Sequence, residues 1–214
     1  SPALAASLEA IAATGGDAFY HGALAAAMVK HAHASGGAHT LADFSGYAAD
    51  WVTPLAYKYR SATVHEIPPN GQGIAALIAL GILQHFDVAS APVDSPATQH
   101  LAIEAMKLAF ADSYRYVSDP RSMHVPPEAL LDPTYLASRA KLIDPRRAQD
   151  FGPGEPPRGG TVYLCTADQD GMMVSLIQSN YMGFGSGVVV PGTGISLQNR
   201  GAGFSLAPGH PNEV

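Results

Sequence analysis

The sequence predicts an α/β chain with a mostly helical first part and a β-rich end. Three observations carry this. Apolar residues recur at helical spacing as far as residue 144. A run of proline, glycine and charge over 145–160 then breaks every periodicity. From Thr161 onward, apolar and polar residues alternate as they do along a strand. The expected organisation is a helical region over 1–150, a flexible connection over 151–160 and a β-rich region over 161–214.

Each element has its own signal. The first helix starts at Ser1 as cap with Pro2 behind it and stops at Gly15–Gly16. A second helix is expected from Asp17, as cap, to Gly36–Gly37. "TLADFSGY" reads as a short helical turn capped by Thr40. Two alternating runs, 54–60 and 62–67, read as short strands, and "PPNGQG" turns the chain into the apolar helix "IAALIALGILQHF". A long helix begins at Ser95 and ends by Asp119, because the residue before Pro120 resists helix. Another helix covers 133–144. In "TVYLCTADQDGMMVSLIQSN" an Asp-Gly turn separates two alternating runs, which is a hairpin signal. The expected pairing is 161–167 with 172–179 around the turn 168–171, which brings Ser179 back toward Thr161. "VVVPGTGISLQN" reads as a third β-rich piece.

Composition narrows the function classes. Charged residues make up 14% of the chain, against about 25% in an average globular protein. That balance suggests a surface largely covered by neighbouring structure. The net charge of −6 and the lack of any basic block exclude the electrostatic footprint of a nucleic-acid binder. The most apolar run is about half the ~20 residues a membrane span needs, so no membrane partner is expected. One cysteine, Cys165, rules out an intrachain disulfide framework and reads as a buried, inert thiol. The first ten residues lack a signal-peptide pattern, and both ends of the chain read as cuts in a longer protein. Compartment is not legible.

Several residues invite chemistry. Thr161 follows the Pro/Gly run directly, and there two readings stand side by side. It is an ordinary threonine at a strand start, or the chain is cut before it and its freed α-amine serves as the base for its own hydroxyl. That amine has a pKa of about 7.7–8.0, so part of it is neutral near pH 7. Gly160 has no side chain to obstruct an attack on its carbonyl. Ser179 either ends a strand or hydrogen-bonds the threonine hydroxyl. Arg200, in a Gly-rich stretch, reads as a buried-looking arginine able to grip a carboxylate bidentately, or as a surface residue. His31 and His33 are two apart and share no helical face, and His100 with Glu104 lacks further ligands. No metal site and no cofactor are expected. Glu104 and Lys107 read as a helix-surface pair.

Longer blocks carry a resemblance. "DAFYHGALAAAMVKHA", "TLADFSGYAADWVTPLAYKYRSATVHEIPPNGQG", "HLAIEAMKLAFADSYRYVSDP", "LLDPTYLASRAKLID" and "GGTVYLCTADQDGMMVSLIQSNYMGFGSGVVVPGTGISLQNRGAGFS" resemble successive blocks of the γ-glutamyltransferase (γ-glutamyltranspeptidase) family. The resemblance implies an N-terminal-nucleophile α/β fold, an αββα sandwich of which this chain holds part. It implies a precursor that cuts itself between Gly160 and Thr161 into a large and a small subunit. Region 1–150 would then be the C-terminal part of the large subunit, and 161–214 the start of the small one. It implies hydrolysis or transfer of a small γ-glutamyl or related acyl amide through an acyl-enzyme on Thr161.

Residue by residue, Thr161 matches the nucleophile, and Ser179 stands where the family has a threonine that hydrogen-bonds it. Tyr181 replaces an asparagine that touches the glutamyl group. Arg200 replaces a glutamine, and Gly203 replaces an aspartate that binds the substrate α-amine. Tyr181 and Arg200 are therefore the expected substrate-binding residues. The departures resemble the family's cephalosporin-acylase-like branch, with a glutaryl-type acyl group as the alternative substrate. The resemblance also puts the family's α-carboxylate arginine before Ser1 and its oxyanion glycines after Val214, so a further alternative is an inactive fragment.

Overall fold

The computed structural model describes residues 1–151 and 159–214, with side chains described from Leu164 onward in the second stretch. The expected connection over 151–160 lies, apart from its ends, outside the described residues. The chain forms two compact units. One comprises Ser1–Asp50 with Pro157–Ala202, the other Trp51–Pro156 with Gly203–Val214.

The first unit opens with α1 (Pro2–Ala13), capped by the Ser1 hydroxyl, which accepts from the Leu4 amide. Ser7 on α1 is buried, and its hydroxyl donates to the Thr193 carbonyl at 2.7 Å. Gly194 approaches so closely that a Cβ there would lie 2.8 Å from the Leu4 nitrogen, and its φ of +68° independently requires glycine. The single helix expected from Asp17 to Gly36 is two, α2 (Asp17–Tyr20) and α3 (Ala23–Ala34). Gly22 takes an extended conformation, ψ −154°, and breaks the run. Asp17 is then the first helical residue rather than the cap, which is Gly16 at φ 100°. Thr40 caps α4 (Leu41–Ser45) in a reciprocal box with Asp43. The backbone and side-chain hydrogen bonds from Thr40 hold the Asp43 carboxyl below its ordinary pKa.

The same unit holds β3 (Gly159–Ala167) and β4 (Met173–Met182), which pair antiparallel. The turn is tied by Asp168. Its carbonyl accepts from Gly171, and its carboxylate accepts from the amides of Asp170 and Met172. The third β-rich piece is not a strand: 188–199 contributes one isolated bridge, Val189 with Ser196, because Pro191, Gly192 and Gly194 interrupt it. From Leu164 to Gln178 every side chain of the hairpin is exposed. That includes Cys165, which the sequence reads as buried. Nothing among the described residues covers either face there.

The second unit carries the core. β1 (Leu55–Tyr59) and β2 (Ala62–Glu66) form a hairpin. α5 (Ile74–Leu83), α6 (Pro96–Tyr116), α7 (Pro127–Leu130) and α8 (Pro133–Ala140) pack against it and each other. Helix α7 has no counterpart in the sequence reading, and α8 stops four residues before the expected 144. Helix α5 is apolar all round and buried, with Ile74, Ile78 and Ile82 fully enclosed. Gly81 lets α5 meet α8: a Cβ there would lie 2.4 Å from a methyl of Leu136.

Two polar clusters are built into this core. Arg139 on α8 grips Asp112 on α6 with two nitrogens, at 3.1 and 2.9 Å. Burial raises the Asp112 pKa and outweighs the lowering by Arg139 and Tyr135. Burial, with Asp112 beside it, raises that of Tyr135 as well. Glu104, expected on a helix surface, is instead 1% exposed. Its two oxygens accept from Lys107, at 2.7 Å, and from the Gln149 amide, at 3.1 Å, so the returning segment after α8 covers it. The chain end docks on the same helix, where the Asn212 side-chain amide donates to the Val117 carbonyl and the His210 Nε2 hydrogen-bonds the Tyr114 backbone carbonyl.

The architecture is thus mixed, with helices first and a β-hairpin late. Among the described residues the sheets are two separate two-stranded ones.

Candidate active site

The hairpin register puts Thr161 directly opposite Ser179. The next pair toward the start of β3 is Gly159 with Met182. Between these pairs β3 has one residue, Gly160, and β4 has two, Asn180 and Tyr181. The ladder therefore bulges opposite the Gly160–Thr161 peptide.

Tyr181 absorbs the extra length. Its φ is 77°, one of two non-glycine residues on the positive side among those described. A bulky side chain there is strained, and such strain collects at functional sites. Its amide donates to the Ser179 hydroxyl at 3.0 Å.

The segment after β4 folds back on the bulge. Gly185, at φ 73°, comes so close to it that a Cβ would lie 2.5 Å from the Leu197 carbonyl oxygen and 3.0 Å from the Asn180 Cβ. The Ser186 amide and the Leu197 amide hold the two arms together, at 2.9 Å each. This return delivers Arg200. The guanidinium carbon stands 5.3 Å from the Tyr181 ring centroid, and one nitrogen reaches the Ser179 carbonyl at 3.5 Å. Arg200 is exposed rather than buried, while Ser179 and Tyr181 are partly buried. An exposed guanidinium over an aromatic face keeps donors free to turn toward an acidic ligand.

The structure thus gathers the sequence candidates at one end of one hairpin: Gly160 and Thr161 on β3, Ser179 and Tyr181 on β4, and Arg200 on the returning loop. Asn199 escaped the sequence reading. Its side-chain oxygen accepts from the Met182 amide at 3.0 Å, its side-chain nitrogen donates to the Met182 carbonyl at 3.5 Å, and its own amide donates to the Asn180 carbonyl at 3.2 Å. Only its place next to Arg200 could have drawn notice. A cavity of about 510 Å³ in the same unit lies between α3, α4 and the 186–198 loop, and is lined by none of these residues. Among the described residues no group of three or more His, Cys, Asp or Glu is arranged to hold a metal, and no helix is long and apolar enough to cross a membrane.

Similarity to known proteins bears on this arrangement. The oxamate amidohydrolase proenzyme of Klebsiella pneumoniae is 41% identical over 98% of the chain, and the glutathione hydrolase-like YwrD proenzyme of Bacillus subtilis 38% over 99%. The crystal structure of cephalosporin acylase from Bacillus halodurans superposes with a TM-score of 0.89 and 48% identity over the whole chain. The chain spans 39–40% of the length of each of these three. The family model of γ-glutamyltranspeptidase matches residues 1–214. The chain therefore belongs to the γ-glutamyltranspeptidase family of N-terminal-nucleophile hydrolases.

Proposed function

We propose that this chain is part of a precursor that cuts itself before Thr161 and then hydrolyses an amide whose acyl group carries a carboxylate. The observation that carries the reading is the convergence of Thr161, Ser179, Tyr181 and Arg200 at one hairpin end.

In the cut, the Thr161 hydroxyl oxygen adds to the Gly160 carbonyl carbon. The C–N bond breaks as the ester forms, and the hydroxyl proton passes to the threonine amine. Water then splits the ester, releasing Gly160 as a carboxylate and restoring the hydroxyl. The freed amine is the base for turnover. It takes the hydroxyl proton as the oxygen attacks the substrate amide, passes it to the leaving amine, and later activates water on the acyl-enzyme. Ser179, opposite the nucleophile, orients it. No cofactor enters any step.

Arg200 supports an acidic acyl group, because a planar guanidinium matches a carboxylate. The names of the relatives point the same way, since oxamate bears a carboxylate next to its amide carbonyl. The likeness to a cephalosporin acylase favours an acylase over a γ-glutamyl transferase. A γ-glutamyl substrate is the second reading, supported by the glutathione hydrolase-like relative. Gly203 weighs against it, because glycine offers no carboxylate to a substrate ammonium.

We further propose that the subunit division falls at Thr161. The apolar faces of β3–β4 are then the inside of an αββα sandwich completed by the rest of the precursor, and the 214-residue chain alone is inactive. Loss of oxyanion donors alone costs about 10²–10³ in rate.

The test is Arg200→Met in the complete precursor, assayed on a glutaryl anilide and on the matching neutral pentanoyl anilide. A hydrogen-bonded charge contact is worth about 1.5–3 kcal/mol. The kcat/KM ratio of acidic to neutral substrate should fall by one to two decades. An unchanged ratio would remove Arg200 from acyl recognition.

A further inference from the structure

We infer that Asn199 is a positioning residue for the cut before Thr161, acting through the backbone of Met182. The inference rests on the reading of Thr161 as the self-cleaving residue.

The scissile peptide lies between two ladder pairs of unequal spacing, Gly159 with Met182 and Thr161 with Ser179. A slip of β4 by one residue would erase the bulge and release Tyr181 from its φ of 77°. Something must oppose that relaxation. Asn199 holds both polar groups of the Met182 backbone and, through its own amide, the Asn180 carbonyl as well. Successive residues of a strand send their N–H and C=O to alternate sides. A one-residue slip would therefore turn the Met182 groups away and leave the Asn199 amide unpartnered. The bulge is thus pinned from the side opposite β3.

The pin matters for one reaction and not the other. Before the cut, Met182 fixes Gly159 while Ser179 fixes Thr161, so the peptide between them stays out of the regular ladder. The register pairs Gly159 and Thr161 and gives Gly160 no partner on β4, so the scissile peptide is held between two fixed pairs and kept from settling into a regular ladder. The reaction is the acyl shift described above: the Thr161 oxygen bonds to the Gly160 carbon, the peptide C–N bond breaks, the proton moves to the new amine, and water opens the ester. After the cut, Gly159 and Gly160 belong to the other subunit, whereas Thr161 keeps its place opposite Ser179. Asn199 should govern the speed of maturation and leave kcat, which depends on Thr161 and its amine, alone; any shift of Tyr181 falls on KM.

The test uses the complete precursor made by cell-free synthesis, so that cutting is followed from time zero by mass. Asn199→Ala should split about five- to tenfold more slowly, the effect of one lost hydrogen bond. Its kcat per matured chain should stay within about twofold of wild type, with an unchanged melting temperature. Asn199→Asp retains the oxygen that accepts from Met182 but turns a carboxylate oxygen toward the Met182 carbonyl, and should mature at a rate between those of wild type and Asn199→Ala. Asn199→Leu keeps the volume without the amide and carries the test if Asn199→Ala melts lower. Wild-type splitting together with unimpaired Asn199→Ala, or cutting and turnover slowed by the same factor, overturns this inference alone. A wild type that stays intact overturns the reading of Thr161 and this inference with it.

Discussion

The helical core around α5, α6 and α8 and the β3–β4 hairpin use apolar residues in opposite ways. In the core, Ile78, Leu108 and Leu136 have no exposed surface. In the hairpin, Leu164, Val174, Leu176 and Ile177 are 44–65% exposed. The register puts Leu164 opposite Leu176 on one face, with Val174 nearby, and Met173 and Ile177 on the other. A two-stranded hairpin is marginal alone, and apolar residues on both faces suit a strand pair covered on both sides. The core is covered by its own helices and hairpin. The element bearing the candidate site is written for partners it does not have among the described residues.

The sharpest way to break this contrast is in the core's buried ion pair. Arg139→Met leaves Asp112 without its cation and should cost about 3–5 kcal/mol at pH 7 by urea unfolding. The sign with pH follows from the raised Asp112 pKa. The folded state holds the proton more tightly than the unfolded chain, whose pKa is about 3.9. Stability from this group is therefore present below that value and is lost as pH rises through the folded pKa. Removing Arg139 raises the folded pKa further, so the cost of the variant should shrink steadily on acidification toward pH 4. A cost independent of pH would show that the pair is not what joins α6 to α8.

A paired truncation compares the two regions directly. In the 214-residue chain, Leu108→Ala should cost about 2–5 kcal/mol, and Leu176→Ala within about 0.5 kcal/mol, as an exposed site does. Equal costs would mean that the hairpin is packed after all. The smallest effect is chemical rather than energetic. Cys165 should react with a disulfide reagent at nearly the rate of a free thiol in this chain, and much more slowly in the complete precursor, where the proposed sandwich covers it. Equal rates in both would leave β3 uncovered there too.

What the sequence made legible follows the range of the forces involved. The Thr161–Ser179 pairing was readable because an Asp-Gly turn between two alternating runs sets the register locally. The caps at Ser1 and Thr40 were readable for the same reason. The bulge was not: Tyr181 carries no mark of a positive φ, and its support comes from Asn199, 17 residues beyond Met182. The pairing of Glu104 with Lys107 was readable from their spacing of three. Its burial was not, because Gln149 covers it from 45 residues along the chain. Cys165 failed in the other direction: mid-strand position suggests burial, but a strand is buried only when something lies against it.

The central claim is that Thr161 is both the point of the cut and the nucleophile, and intact-mass measurement of the complete precursor tests it most directly. The account predicts two polypeptides divided between Gly160 and Thr161 for wild type. It predicts a single uncut chain without activity for Thr161→Ala, and a slower cut with retained activity for Thr161→Ser, which keeps hydroxyl and amine. A Thr161→Ala precursor that still divides at this bond, or a wild type that stays whole and yet hydrolyses acyl amides, would contradict it.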